Sequence, residues 1–596
     1  MNAPLLRAAC FLTPLLGPVI GPTVLRAQDT TLVARDSVRS AAARADSLRL
    51  SDLACAGHTV TDVEVQREAP RVLRRGPRWW RSFLASLVQH RTTKPEVVRD
   101  FVRLREGSTC TPLDREESER VLRAQPFLAD ARVRAEPDAA GQGTRLVVET
   151  EDEIPLILSL SLGGGGLSTF RYGNSNLMGE GQLASVQWRQ GRAFRDGVGA
   201  RYEHYHLFGG PNRLVAQAER APLGSNALLS VSHPFLTPLQ RIALQTEFRQ
   251  ENGYRTFRRA DEATRSLALR RSQITAGGVY RIARIGGGAL SGVFAGATGE
   301  YERAYTGDES VHIDDDGIVR DNDPQLVARY GDFDRTRVAA VLGLTALSFV
   351  TVRGFDALEG VQDVGRGVQL TLRGGPQAGT GDANAFGGVD LYAGAGGRTS
   401  FVGLRVDAES ETGASGGNEV VASGRIAWYL KRPARRTLIL STEYSGAWNS
   451  RVPFQLTFAD RRGGLIGYRK SDLGGARRLV GRGEHRWSFR RGSSSFLGLG
   501  GAVFAEVGKT WAGDVPYGVT TTGRASVGFG LLGAVPRASR RLLRADVAFP
   551  ITNDPGVRWL AFRFTSSVPL RSFWREPSDI SLARSTAPST DLFTWP

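Results

Sequence analysis

The chain has 596 residues, with 77 Lys and Arg against 60 Asp and Glu, a formal charge of +17, 71 glycines and 41% hydrophobic residues. Lysine stands only at Lys94, Lys431, Lys470 and Lys509, so the positive excess is scattered arginine. Scattered arginine builds no continuous phosphate track, which argues against nucleic acid as a partner. Beyond residue 27 no segment supplies the roughly twenty apolar residues of a spanning helix, so the chain can enter a membrane only as a closed barrel.

Residues 1–27 carry Arg7, an apolar stretch broken by Pro14, Pro18 and Pro22, and then Arg26 and Ala27, the pattern of a secretory signal peptide. Cys10 falls inside it as an incidental cysteine. Removal of the signal leaves Cys55 and Cys110, an even pair in a chain bound for an oxidising compartment. A disulfide is favoured over a metal site, because there is no CxxC and His58 has no partner at ligand spacing. Residues 28–55, rich in Arg, Ala, Asp and Ser, read as a solvated linker or a short frayed helix.

Residues 56–152 have the pattern of a small α/β module. Val60, Val63 and Val65 alternate as in a strand. Thr93 and Glu96 form a capping-box pattern opening a helix with Val97, Val98, Phe101, Val102 and Leu104, stopped by Gly107. Thr111-Pro112-Leu113-Asp114 opens a second helix that closes at Gln125. Strands over 127–135 and 144–150 follow, separated by the turn residues 137–141, so the order is β-α-α-β-β. That order, with Arg105-Glu106-Gly107 and the run from Val121-Leu122-Arg123 to Pro126-Phe127-Leu128-Ala129, resembles the POTRA modules of BamA/TamA-like outer-membrane assembly factors. An insertion at 77–90 departs from it. There Trp79, Trp80, Phe83, Leu84 and Leu87 share a helical face, whose simplest role is packing and whose alternative is contact with the membrane or the barrel rim.

From 153 to 567 the reading is strands and turns. Ile242, Leu244 and Phe248 alternate with Arg241, Gln245, Glu247 and Arg249, and Gly483, His485, Trp487 and Phe489 alternate with Arg482, Glu484 and Arg486. Charges recurring on one face suit a wet lumen and not a packed core. The expectation is a mainly β fold: a transmembrane antiparallel β-barrel of about sixteen strands, preceded by one small α/β POTRA-like domain and followed by a tail at 568–596. Residues 305–334 and 409–418 read as external loops.

Several motifs weigh little. The acidic run at His312 to Gly317, with Asp321 and Asp323, fails calcium-loop spacing because His312 stands at the first ligand, so a solvated loop is expected and no metal. Gly413-Ala414-Ser415-Gly416-Gly417 matches a nucleophile elbow only in letters, with no His and acid constellation beside it. The glycines at 163–166 and 286–288 precede no helix that could hold a phosphate. No catalytic residue and no cofactor are implied, and an outer-membrane lipase is disfavoured.

The resemblance extends into the barrel. Asn174 to Gln182, Val503-Phe504-Ala505-Glu506-Val507-Gly508, Ser526 to Gly530 and Arg544 to Pro550 are similar to the family's strands. In that family a long loop before the twelfth of sixteen strands folds into the lumen, and its Val-Arg-Gly-Tyr/Phe arginine meets an acid on the following strands. Val352-Arg353-Gly354-Phe355 matches in letters, but about ten candidate strands follow it. Five follow Gly463-Gly464-Leu465-Ile466-Gly467-Tyr468-Arg469, which is therefore assigned as the lumen loop. Ile466 occupies the motif arginine's place. Arg469 or Arg462 is expected to reach Glu506 or Asp546.

The resemblance implies an outer-membrane protein with its POTRA-like domain in the periplasm. It would assist insertion of outer-membrane proteins or translocation of a partner, by lending a strand edge or a barrel seam between 156–163 and 558–566 to a client. The implied partners are outer-membrane lipid or lipopolysaccharide and an unfolded outer-membrane protein client or a secreted polypeptide. The alternative is a passive channel or structural surface barrel whose module is a plug or anchor.

Overall fold

The computed structural model describes residues 46, 49–69, 91–139, 141, 143–163, 166–260, 262–285, 290–314, 316–380, 383–413, 418–431, 435–459, 463–468, 473–489, 497–552, 554, 557–567, 576–584 and 592. The signal segment, the 77–90 insertion, the glycines at 286–288, residues 414–417, Arg462 and Arg469 lie outside these.

The N-terminal module comprises β1 (Val60–Glu68), α1 (Pro95–Phe101), α2 (Pro112–Ala124), β2 (Leu128–Pro137) and β3 (Thr144–Asp152), in the order β-α-α-β-β. Its sheet runs β1-β3-β2, with β1 parallel and β2 antiparallel to β3. Thr111 caps α2 by accepting from the Asp114 N–H at 3.1 Å, with Pro112 in the first turn. The expected capping box on α1 is absent: Thr93 instead donates its hydroxyl to Asp152 at 2.7 Å, and the helix stops at Phe101. A buried carboxylate on the neighbouring strand outcompetes a local cap.

Cys55 and Cys110 are joined by a disulfide, with Cα atoms 4.9 Å apart and a sequence separation of 55. Both are fully buried beside Val60, Val98 and Leu122. Closing a loop of that length removes about 4 kcal/mol of chain entropy from the unfolded state. The Cys55→Ser/Cys110→Ser variant should therefore lose roughly that much module stability in denaturant titration, with the barrel's own transition unchanged.

The barrel begins with β4 (Leu156–Gly163), β5 (Gly166–Asn174), β6 (Gln182–Arg189), β7 (Gly197–Leu207), β8 (Asn212–Ala221), β9 (Gly224–His233), β10 (Ile242–Arg259), β11 (Glu262–Ala283) and β12 (Ser291–Ile313). The short β13 (Ile318–Arg320) and helix α3 (Pro324–Arg329) form an excursion, after which come β14 (Phe333–Arg353), β15 (Val361–Gly379), β16 (Ala383–Gly396), β17 (Ser400–Gly413), β18 (Glu419–Lys431) and β19 (Arg436–Trp448). A long loop holding β20 (Leu456–Thr457) and β21 (Gly474–Gly475) leads to β22 (Arg477–Ser488), β23 (Gly498–Trp511), β24 (Arg524–Ala534), β25 (Leu542–Ile551) and β26 (Ala561–Ser567). β26 returns beside β4 to close the ring, and α4 (Ser578–Ala583) follows it.

Among the described residues the ring has twenty strands rather than about sixteen. Fifteen precede the long loop and five follow it, so the whole discrepancy lies upstream. Hairpins there turn within two residues, as at 222–223 between β8 and β9, and leave little loop signal to separate one strand from the next. The two expected external loops also shrink. β12 runs to Ile313 and β17 to Gly413, and the polar residues Ser310, Glu409 and Glu411 within these stretches are buried on the strands and not solvated in loops.

The two faces of the wall separate cleanly. On β14, Arg335, Arg337, Ala339 and Val341 are buried inside, while Val338, Leu342 and Leu344 are exposed outside. Ile242, Leu244, Ile274, Leu372, Ile426, Val503, Phe529, Leu531, Phe562 and Phe564 continue the exposed apolar exterior around the ring. An apolar belt of this extent is a lipid-facing surface. No helix among the described residues is long and apolar enough to cross a membrane, and the crossing is made by strands.

Part of the lumen is crossed by buried ion pairs. Arg335 bonds Glu302 at 2.7 Å, Glu419 at 3.3 Å and Glu411, while Arg337 reaches Glu300 at 3.3 Å and also Glu411. Arg335, Arg337 and Glu302 are each 2% exposed, and buried charge at that depth persists only when so paired.

Candidate functional site

The loop between β19 and β22 folds inward over the wall formed by the strands that follow it. A two-rung ladder, Leu456 with Gly475 and Thr457 with Gly474, closes its neck. Beyond the neck, the Leu465 and Gly464 N–H groups donate to the carbonyls of Phe458 and Ala459 at 3.0 and 3.1 Å, making a tight turn. Phe458, Leu465 and Tyr468 are fully buried against Val480, and Ile466 packs on Phe504 and Ala548. Gly467 sits at φ 96°, and a Cβ there would lie 2.8 Å from Pro550 Cγ. The position therefore demands glycine twice, for its left-handed backbone and for its approach to β25.

Two wall residues hold the turn. Glu506 on β23 accepts from the Ile466 N–H at 2.6 Å and from Arg482 Nε at 3.1 Å. Arg482 on β22 also donates to the carbonyls of Gly463 and Gly464 at 3.0 and 2.7 Å and reaches Glu443 at 3.4 Å. The Tyr468 hydroxyl donates to the Ala525 carbonyl at 3.0 Å. In the contacts with Glu506 and Arg482 the wall supplies both charges and the turn supplies backbone groups. That arrangement suits a loop with Ile466 at the arginine's place, because an arginine from the wall satisfies carbonyls that an apolar side chain cannot.

Asp546 is buried on β25. It accepts from Arg544 Nε at 2.6 Å on its own strand and from Arg563 Nη2 at 2.8 Å on β26. Arg544 continues to Glu484 at 2.7 Å. Asp546 thus ties the penultimate strand to the last one. Arg462 and Arg469, the arginines expected to reach it or Glu506, lie outside the described residues. Arg482 was missed as an anchor although its signal was present: it lies directly opposite Glu506 in register, with opposite charge on the same face.

The rejected letter match at Val352 to Phe355 also folds inward, at the end of the barrel that adjoins the module. Gly354 takes φ 68°, Phe355 stacks on Tyr429 with centroids 5.1 Å apart, and Leu358 packs among Ala502, Leu532 and Leu542. Asp356 accepts from the Tyr429 hydroxyl at 2.8 Å, while Gln362 Oε1 accepts from the Asp356 and Ala357 N–H groups at 3.0 and 3.2 Å. Its Oδ2 is buried with no partner among the described residues. Burial pushes the Asp356 carboxyl up to about 6, against the opposing pull of Arg486. Folded Asp356 therefore keeps its proton between about pH 4 and 6, where an unfolded aspartate has lost it, and the turn loses stability as pH rises through that window. The difference in Tm between wild type and Asp356→Asn should change from pH 4 to 6 and stay level above it.

The module is clamped to this same end. Arg123 makes two 2.8 Å bonds to Asp363 on β15, and Arg120 donates to the Leu236 carbonyl at 2.6 Å while lying 4.1 Å over the Phe349 ring. Arg540 donates to the Gln125 carbonyl at 2.7 Å. Tyr205 of β7 belongs to the module's own apolar core, 6.0 Å from Phe127.

The acidic excursion is also held internally: Asp321 bonds Arg265 at 2.8 Å, and Asp323 bonds Arg265 and Tyr517.

No family model matches the chain, and no curated protein matches it. Solved structures do. The chain is similar to BamA from Haemophilus ducreyi lacking POTRA domains 1–3, at 12% identity over 86% of this chain and 84% of that one, with a TM-score of 0.39. It is similar to CdiB from Acinetobacter baumannii at 10% identity over 86% and 74%, TM-score 0.39, and to CdiB from Escherichia coli at 9% over 92% and 99%, TM-score 0.37.

Proposed function

We propose that this protein is an outer-membrane assembly or translocation factor that works by lending backbone edges to a client polypeptide, with no catalytic step. The observation that carries the reading is the inward loop docked on Glu506 and Arg482, five strands from the end of a barrel whose module is clamped beneath it. The seam supports it. β4 and β26 are 8 and 7 residues long, against 18 to 23 for β10, β11, β12 and β14, so few hydrogen bonds oppose separation of first strand from last. The α/β module, with β1 and β2 as the outer strands of its sheet, is a periplasmic POTRA-like domain that would receive a client strand. Its clients are unfolded outer-membrane proteins or a secreted polypeptide, in a barrel surrounded by outer-membrane lipid.

Liposomes containing the pure protein should accelerate folding of a urea-denatured outer-membrane barrel, followed by its heat-modifiable migration, or carry a secreted polypeptide into the lumen. Rates equal to those of empty liposomes in both assays would sink the reading and leave a structural barrel.

A further inference from the structure

We propose that the C-terminal tail is a plug: residues 576–584, with Leu592, seat inside the lumen, close the pore in the resting chain and must leave before a polypeptide passes. The proposal stands independently of the client, since it is read by ion flow alone.

The seat is built from several strands. Arg478 on β22, 1% exposed, donates to Asp579 at 2.7 Å through Nη1 and at 3.3 Å through Nη2. Arg271 on β11 donates to the Leu582 and Arg584 carbonyls at 2.7 and 2.6 Å. These arginines stand on the eighth and sixteenth strands of a twenty-strand ring, so the segment spans the lumen between nearly opposite walls. Ser423 on β18 donates to Glu576 at 2.6 Å, and Glu576 in turn receives Arg584, which also donates to the Asp407 carbonyl at 2.9 Å. Ile580 and Ala583 bury their side chains among Val421, Ala447, Phe454, Leu456 and Val515. At the module end, Leu592 packs with Phe235, Phe294 and Tyr392, and its carbonyl accepts from the Phe235 N–H at 2.8 Å.

A helix of six residues has no stability of its own in water, so α4 owes its shape to this seat. The tail and the lumen loop also interlock. Gly463, at φ 93°, passes so close to Pro577 that a Cβ would lie 2.8 Å from it, which couples the loop's position to the presence of the plug.

The seat survives the tail's departure. Arg271 keeps Glu302 at 2.6 Å, and Arg478 keeps the Thr457 carbonyl at 2.6 Å with the Glu443 carboxylate 4.0 Å away, so each arginine retains an acceptor and a neighbouring acid when the tail leaves. A polar attachment whose wall remains satisfied is suited to release, whereas a fully apolar one would not be.

Planar-bilayer conductance of the full chain tests the plug against a chain ending at Ser567 and against charge swaps at the seat. The truncated chain should move from a closed baseline to a steady open current. Asp579→Arg and Arg478→Asp should each do the same, and the double swap should return the current toward the closed level. Should the truncated chain fail to fold, the swaps decide. Single swaps that leave the baseline closed, or a double swap no more closed than the singles, would overturn the proposal, as would a folded truncated chain that conducts like the full one.

Discussion

Glu506→Ala should detach the inward loop and abolish most client insertion. The substitution removes the acceptor of the Ile466 N–H and one of the two carboxylates that reach Arg482, leaving a partly buried guanidinium short of charge. Breaking such a pair costs roughly 3 kcal/mol, at the low end of the range because Arg482 keeps partial exposure. If half of that appears in the docking equilibrium of the loop, the undocked population rises about tenfold. Protease nicking within 463–468 in intact proteoliposomes should rise accordingly, and the rate of client folding should fall. Glu506→Gln should be milder, since an amide oxygen still accepts from Ile466 but no longer neutralises Arg482. Equal nicking in wild type and Glu506→Ala would show that apolar packing of Phe458, Leu465 and Tyr468 alone retains the loop.

Arg123→Ala should free the module from the barrel. Among the described residues Asp363 would keep the Thr351 hydroxyl at 2.8 Å as its hydrogen-bond donor and lose the cation bonded to it, and the loss should again be about 3 kcal/mol of docking. Arg123→Lys should rescue little, because a point charge cannot reproduce two parallel bonds to one carboxylate. The readout is a spin-label distance between α2 and β15, narrow in wild type and broad in both variants. A distribution as narrow as wild type in Arg123→Ala would assign the clamp to Arg120, Arg540 and the shared core around Tyr205.

Alternation carried most of what the sequence revealed. Ile242, Leu244 and Phe248 against Gln245 and Glu247 separated the lipid face from the lumen, and the order β-α-α-β-β of the module followed from Thr111-Pro112 and the flanking strands. The five strands after the loop were countable because 512–523 is a long connection rich in Gly and Thr and because Asn553-Asp554-Pro555-Gly556 marks a turn before the last one. Strands joined by two residues, as at 222–223, were not separable, and this hid four strands. At the loop, Glu506 was identifiable from its strand, but its partners depend on register: Arg482 faces Glu506 only once β22 and β23 are aligned, and Asp546 meets Arg563 only once β26 is placed. The tail at 568–596 gave no pattern to read: residues 576–584 are held by Arg478, Arg271 and Ser423, which lie more than a hundred residues upstream in each case.

The central claim is that first and last strands part to template a client. A single disulfide engineered between Leu156–Gly163 and Ala561–Ser567, in Cys55→Ser/Cys110→Ser background, tests it in proteoliposomes by comparing client folding before and after reduction. Locked protein should fold client no faster than empty liposomes, and reduction should restore the unlocked rate. Client folding at full rate in the locked state would contradict the account.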